Sequence, residues 1–178
     1  MYQTVVVGIG VGYVCVIAYL ANAHVHDFGL RKERFISSIK SLIVLSLGIG
    51  LLLVAFGIGN IRIGVFPEML QGITSYGNII GLLIYVFISV PLQEVIFRGY
   101  VIWRLTSISN NQSHIVWISA VVFALMHVPF GNWYVVGVAL IFGLWSSKVY
   151  LRDRNIYAIM ICHALIGGAE IIRQILLS

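Results

Sequence analysis

Apolar residues gather into long runs at roughly 4–21, 41–60, 78–105, 114–130, 132–150 and 155–177, separated by short polar stretches. Each run is near the ~20 residues a helix needs to cross a ~30 Å hydrocarbon core, the fourth at the short end and the third long enough to protrude. Between the second and third, RIGVFPEMLQGITSYGN (62–78) is only moderately apolar and carries Pro67. That stretch predicts an interfacial or external loop rather than a span. The pattern therefore predicts an all-α bundle of about six transmembrane helices, with no internal repeat.

Composition strengthens this reading. The chain has 178 residues, 60% of them hydrophobic and 10% charged, with a mean hydropathy of +1.01. A soluble domain of this length could not hide so much apolar surface, since ordinary proteins are near half apolar and a quarter charged. One polytopic membrane domain over 1–178 is expected. Cys15 and Cys162 both fall inside apolar runs, where a thiol behaves as a small hydrophobe. The N-terminal MYQTVVVGIG lacks the basic region of a signal peptide and is expected to be a retained helix.

The net charge of +5 would suggest nucleic acid only if the cations shared one face. They lie between the apolar runs instead, so no nucleic-acid partner is expected. The first loop holds Arg31, Lys32, Arg34 and Lys40, the third Arg104, and the fifth Lys148, Arg152 and Arg154. The intervening loops hold only Arg62, and the C-terminus only Arg173. By the positive-inside rule this alternation predicts an N-out, C-out bundle.

Few polar residues interrupt the spans: Gln93, Glu94, Arg98, His127, His163 and Glu170. Ionisable groups at membrane depth are costly and mark a functional site or a buried pair. Glu94 and Arg98, four residues apart, share a helix face, and an internal ion pair would account for them alone. The histidines argue for more. At 1.5 Å per residue Glu94 lies about 17 Å above the inner end of its span, His127 about 20 Å and His163 about 12 Å. Three acid–base groups from three helices thus fall in one layer, and both histidines are expected to face a shared hydrated space. A carboxylate beside an imidazole can deprotonate water, and a second imidazole can donate to the oxyanion formed on attack. The same three groups could bind zinc with a position open for water. No HExxH pair is present, so metal-free chemistry ranks first.

These residues fall in motifs that resemble the intramembrane CAAX-protease and bacteriocin-processing (CPBP, or Abi) family, marked by Glu-Glu-xxx-Arg, Phe-xxx-His and His-xxx-Asn. Here the first reads QEVIFR (Gln93, Glu94, Arg98), preceded by Pro91 and followed by Gly99. The second is FALMH, Phe123 to His127. The third is HALIG, His163 to Gly167, after RNIYAIMIC. The match covers about 85–170, in order and spacing. It implies a helical membrane fold and hydrolysis of a peptide bond in a peptide or protein at the lipid bilayer. Bacterial members are linked to bacteriocin maturation, self-immunity or peptide signalling, and a multi-pass protein of a bacterial plasma membrane is expected. In the family plan the first glutamate and the middle histidine activate water. The last histidine and the asparagine hold the oxyanion, and the second glutamate pairs with the arginine.

Two positions depart: Gln93 stands at the first glutamate and Gly167 at the asparagine. An amide takes no proton from water, so general-base help worth roughly 10²–10⁴-fold is at stake. An oxyanion donor is worth about 10²–10³ more. One reading is that Glu94 itself serves as base, with Gln93 orienting water or the substrate carbonyl. Consecutive helix residues are turned by about 100°, so this needs a rotated helix or a differently placed cavity. The sequence thus predicts a protease with Glu94, His127 and His163 central and Gln93, Arg98 and Gly167 supporting. The alternative is a non-catalytic member that binds a peptide or partner membrane protein as regulator or immunity factor. A small transporter or channel subunit ranks below both, because the motifs would then be coincidence.

Overall fold

The structure, a computed structural model, describes residues 12, 19, 24–57, 75–130 and 133–177. Of the expected first span only Gly12 and Tyr19 are therefore described, and Cys15, the 58–74 segment with Arg62 and Pro67, and the side chains of Glu170 and Arg173 lie outside the described residues. All regular elements among the described residues are helical.

A 3-10 turn, Val25–Phe28, leads to α1, Phe35–Gly57. Next comes α2 (75–108), continuous through Ser75–Ile84, Tyr85–Ser89, Val90–Glu94, Val95–Val101 and Ile102–Ile108. Then follow α3, Gln112–Leu125, a 3-10 turn, Val128–Phe130, α4, Trp133–Asp153, and α5, Ile156–Leu177. Helix α1 packs mainly on α5 and α3 mainly on α4, while α2 lies against α5 and α3. Phe35–Leu53, Ile79–Ile108 and Trp133–Asp153 are long and apolar enough to cross a membrane, and Gln112–Leu125 and the Ile156–Ala169 part of α5 are shorter apolar helices.

Helix α2 runs three residues past the expected 78–105 at each end, so residues 75–78 of the expected loop are helical, and two boundaries differ by five residues or more. Helix α1 begins at Phe35 rather than 41, because polar residues in its first turns have partners: Ser38 Oγ donates to Asp153 Oδ2 at 3.0 Å, and Ser41 Oγ donates back to the Ser37 carbonyl. The fourth run, expected over 114–130, is helical only to Leu125. Pro129 disfavours helical geometry at the residue before it and cannot donate a backbone bond. The 14 residues of α3 span about 21 Å, short of a full core. His127 accordingly lies in the turn beyond the helix.

The first, third and fifth loops gather at one end. Arg34 Nη1 donates to the Arg152 carbonyl at 3.1 Å, and Asn155 Nδ2 donates to the carbonyls of Arg31 (2.6 Å) and Glu33 (3.0 Å). Asn155 Oδ1 also accepts from Ala158 N, capping α5. Phe28 packs edge-on against Trp103, beside Arg104, at 5.7 Å. Close approach holds α3 to α4: a Cβ on Gly143 would lie 3.0 Å from Ala120 Cα, so a larger residue would push the two helices apart by a few tenths of an ångström. Large apolar side chains such as Val44, Leu51, Phe87, Trp117 and Ile141 face outward, while Ser46, Glu94, Arg98, Ser119, Ser146 and Ser147 are buried. Apolar outside and polar at the helix contacts is the distribution of an integral membrane protein.

Candidate active site

The site is built around the middle of α2. Pro91 has no N–H to donate, and the backbone accommodates it with a wide turn in which Val90 N–H bonds the Tyr85 carbonyl five residues back. A second wide stretch, Val95–Val101, follows Glu94 and carries Arg98. Wide turns of this kind locally change the direction in which side chains leave the helix.

Glu94 and Arg98 are both 0% exposed, and His163 is 6% exposed. Arg98 Nη1 donates to Glu94 Oε1 at 3.2 Å and lies 3.1 Å from Oε2. His163 Nδ1, from α5, lies 2.6 Å from the same Oε1. Because an ionised carboxylate only accepts, this contact places a proton on Nδ1 and directs Nε2 away from Glu94. The other end of the guanidinium reaches α4: Arg98 Nη2 donates to Ser146 Oγ at 2.7 Å, and Ser146 donates on to the Phe142 carbonyl at 2.6 Å. Arg98 also lies over the Phe123 ring, 4.0 Å from its centroid. Three helices thus converge on one ion pair, and α3 adds an aromatic face.

Both histidines pack against the Phe123 ring. The ring of His127 is 4.8 Å from the Phe123 centroid and that of His163 is 5.5 Å away. His127 Nδ1 lies 2.9 Å from the Phe123 carbonyl, which can only accept, so it too carries a proton on Nδ1. The sequence-predicted residues Glu94, Arg98, His127 and His163 are therefore brought together around Phe123. Gln93 is half-buried and donates to Ser89 Oγ on its own helix at 2.9 Å, not to either histidine. Among the described residues no three His, Cys, Asp or Glu side chains are spaced to hold a metal ion together.

Gly167 lies one turn beyond His163 on α5. A Cβ there would meet the phenol of Tyr85, 2.9 Å from Cε1 and nearer still to Cζ and Oη. The Tyr85 ring stands edge-on to His163 at 6.1 Å between centroids. Tyr85, Phe142 and Ser146 were missed by sequence reasoning, since each reads as an ordinary member of an apolar span. The signal that could have pointed to Tyr85 is the missing side chain at Gly167, which leaves room for a neighbour.

The family model described as type II CAAX prenyl endopeptidase Rce1-like matches residues 75–168, a stretch that holds every residue of this cluster. No curated protein and no solved structure matches the chain.

Proposed function

Because the chain belongs to the type II CAAX prenyl endopeptidase Rce1-like family, we propose that it is an intramembrane endopeptidase acting on a membrane-associated peptide. The observation that carries this reading is the 2.6 Å contact of His163 with Glu94, which Arg98 also pairs, with His127 and His163 both packed against Phe123. His127 Nε2 takes a proton from water as the oxygen attacks the scissile carbonyl carbon. In this scheme His163 enters the reaction as an imidazolium and keeps both protons throughout, donating Nδ1–H to Glu94 and Nε2–H to the oxyanion. Collapse of the tetrahedral intermediate breaks the C–N bond, and the leaving amine recovers the proton held by His127. Glu94 acts through His163, as its orienting acceptor and countercharge, and Arg98 fixes Glu94.

The reaction is read as metal-independent, since Glu94 Oε1 already receives both Arg98 and His163. For topology we propose six spans with both termini outside a bacterial plasma membrane, supported by the meeting of the three basic loops at one end. For substrate we propose a prenylated or otherwise membrane-anchored peptide, with bacteriocin or signal-peptide precursors, or a role in self-immunity, as the finer classes suggested by the bacterial members it resembles.

A second reading keeps the binding and drops the hydrolysis: a member that captures a peptide or partner membrane protein without cutting it. Gln93 favours it, because its amide stands where the family places a base and is engaged with Ser89. The test is purified protein in lipid vesicles with prenylated and unprenylated peptides, with and without chelator, products being read by mass spectrometry. Cleavage that persists in chelator and is lost in His127→Ala supports the peptidase. Loss of cleavage in chelator with restoration by zinc overturns its metal independence, and binding without cleavage favours the second reading.

A further inference from the structure

We propose that Tyr85 supplies the second hydrogen bond to the oxyanion, an assignment that rests on the hydrolytic reading of the site. Gly167 and His163 lie four positions apart on α5 and so share a face. The space that a side chain at 167 would fill is taken by the Tyr85 phenol, whose ring stands T-shaped to that of His163 at 6.1 Å between centroids. The phenol therefore neighbours both Gly167 and the imidazole that meets the developing negative charge. A phenol is suited to the task, because it donates without giving up its proton at neutral pH.

The path of α2 explains how Tyr85 comes to be there. Tyr85 and Glu94 are nine residues apart, about two and a half turns of a regular helix, which would set them on opposite faces. The wide turn over Tyr85–Ser89 absorbs about one extra residue and removes roughly a quarter turn from that offset. Tyr85 thereby swings toward the side on which Glu94 meets α5. Pro91, which cannot donate the next helical bond, sits immediately after this wide turn and favours it.

In the reaction the carbonyl π pair moves onto oxygen as the water oxygen bonds to carbon. The oxyanion then accepts from His163 Nε2–H and Tyr85 Oη–H. Tyr85 keeps its proton throughout, while the proton of the attacking water travels through His127 to the amine.

The test is Tyr85→Phe, which keeps the ring that fills the space over Gly167 and removes the hydroxyl. Turnover of a membrane-anchored peptide is expected to fall by about 10²–10³-fold. KM should stay near the wild-type value, because the bond forms only as charge develops. The thermal midpoint should hold, which a merely structural role for the hydroxyl would not predict. As a second arm, Tyr85→Ala empties the space and should lose turnover, and adding Gly167→Asn, which places an amide donor there, should regain part of it. Tyr85→Phe turnover equal to that of an active wild type overturns the role of Tyr85 alone. A wild type that binds the peptide and never cuts it overturns the hydrolytic reading and this role with it.

Discussion

At Glu94 a single carboxylate oxygen receives both Arg98 and His163 inside a bundle with no exposed surface at the pair. Removing one partner of such a pair leaves the other charged and buried, which costs about 3–5 kcal/mol. Arg98→Ala is thus expected to lower stability by that amount, read as thermal unfolding in detergent. A cost below about 1 kcal/mol, as for an exposed pair, would contradict the burial argument. Glu94→Gln should cut turnover as well as stability, because the amide oxygen can still accept from His163 but the negative charge that pairs with Arg98 and His163 is gone. The Glu94–Arg98 pairing was legible in the sequence because four residues is one helical turn. The meeting of Glu94 with His163 was legible only as a shared depth, and the bond of Gln93 to Ser89 was not legible at all. Tyr85 and Ser146 were not legible. A tyrosine or serine in an apolar run declares its partner only when the facing helix is known.

At the scale of elements, the two wide stretches of α2 and the short α3 do the positioning. If Pro91 favours the first wide turn, Pro91→Ala restores a backbone donor and lets the helix tighten toward regular geometry. Tyr85 then rotates away from Glu94, and a misplacement of about 1 Å in such a site costs on the order of 10²-fold in rate. The expected outcome is a fold as stable as wild type with turnover reduced to that extent. Unchanged turnover would mean that Pro91 does not set the register. Helix starts and stops were read less well than helix existence. At α1 the serines look like loop until Asp153 and Arg152 are placed opposite them. At α3 the signal was present in Pro129, but the apolar residues around it carried the run to 130. The wide turns have no periodicity signature of their own, and sequence spacing alone treats α2 as regular.

Across the whole molecule, burial is inverted relative to a soluble domain, with serines and ions at the helix contacts and large apolar residues outside. The all-helical class was legible from the apolar runs and mean hydropathy, because only helices or closed barrels satisfy the backbone in lipid. The proposed orientation puts exposed Lys32 on the cytoplasmic side, beside the Arg152 end of the bundle. A Lys32→Cys protein is expected to resist a membrane-impermeant thiol reagent in intact cells and to react once they are opened, given a cysteine-free background as reference. Labelling in intact cells would reverse the topology without touching the site.

The central claim is that the cluster of Glu94, His127 and His163 cuts a peptide bond with water as the nucleophile. Its most direct measurement is digestion of a membrane-anchored peptide in ¹⁸O-labelled water, with mass analysis of both fragments and a parallel His127→Ala reaction. The account predicts one ¹⁸O in the new carboxylate from the wild-type protein and no product from His127→Ala, with peptide binding kept by both. Bound peptide that stays uncut by the wild type across prenylated and unprenylated substrates, or equal cleavage by His127→Ala, would contradict it.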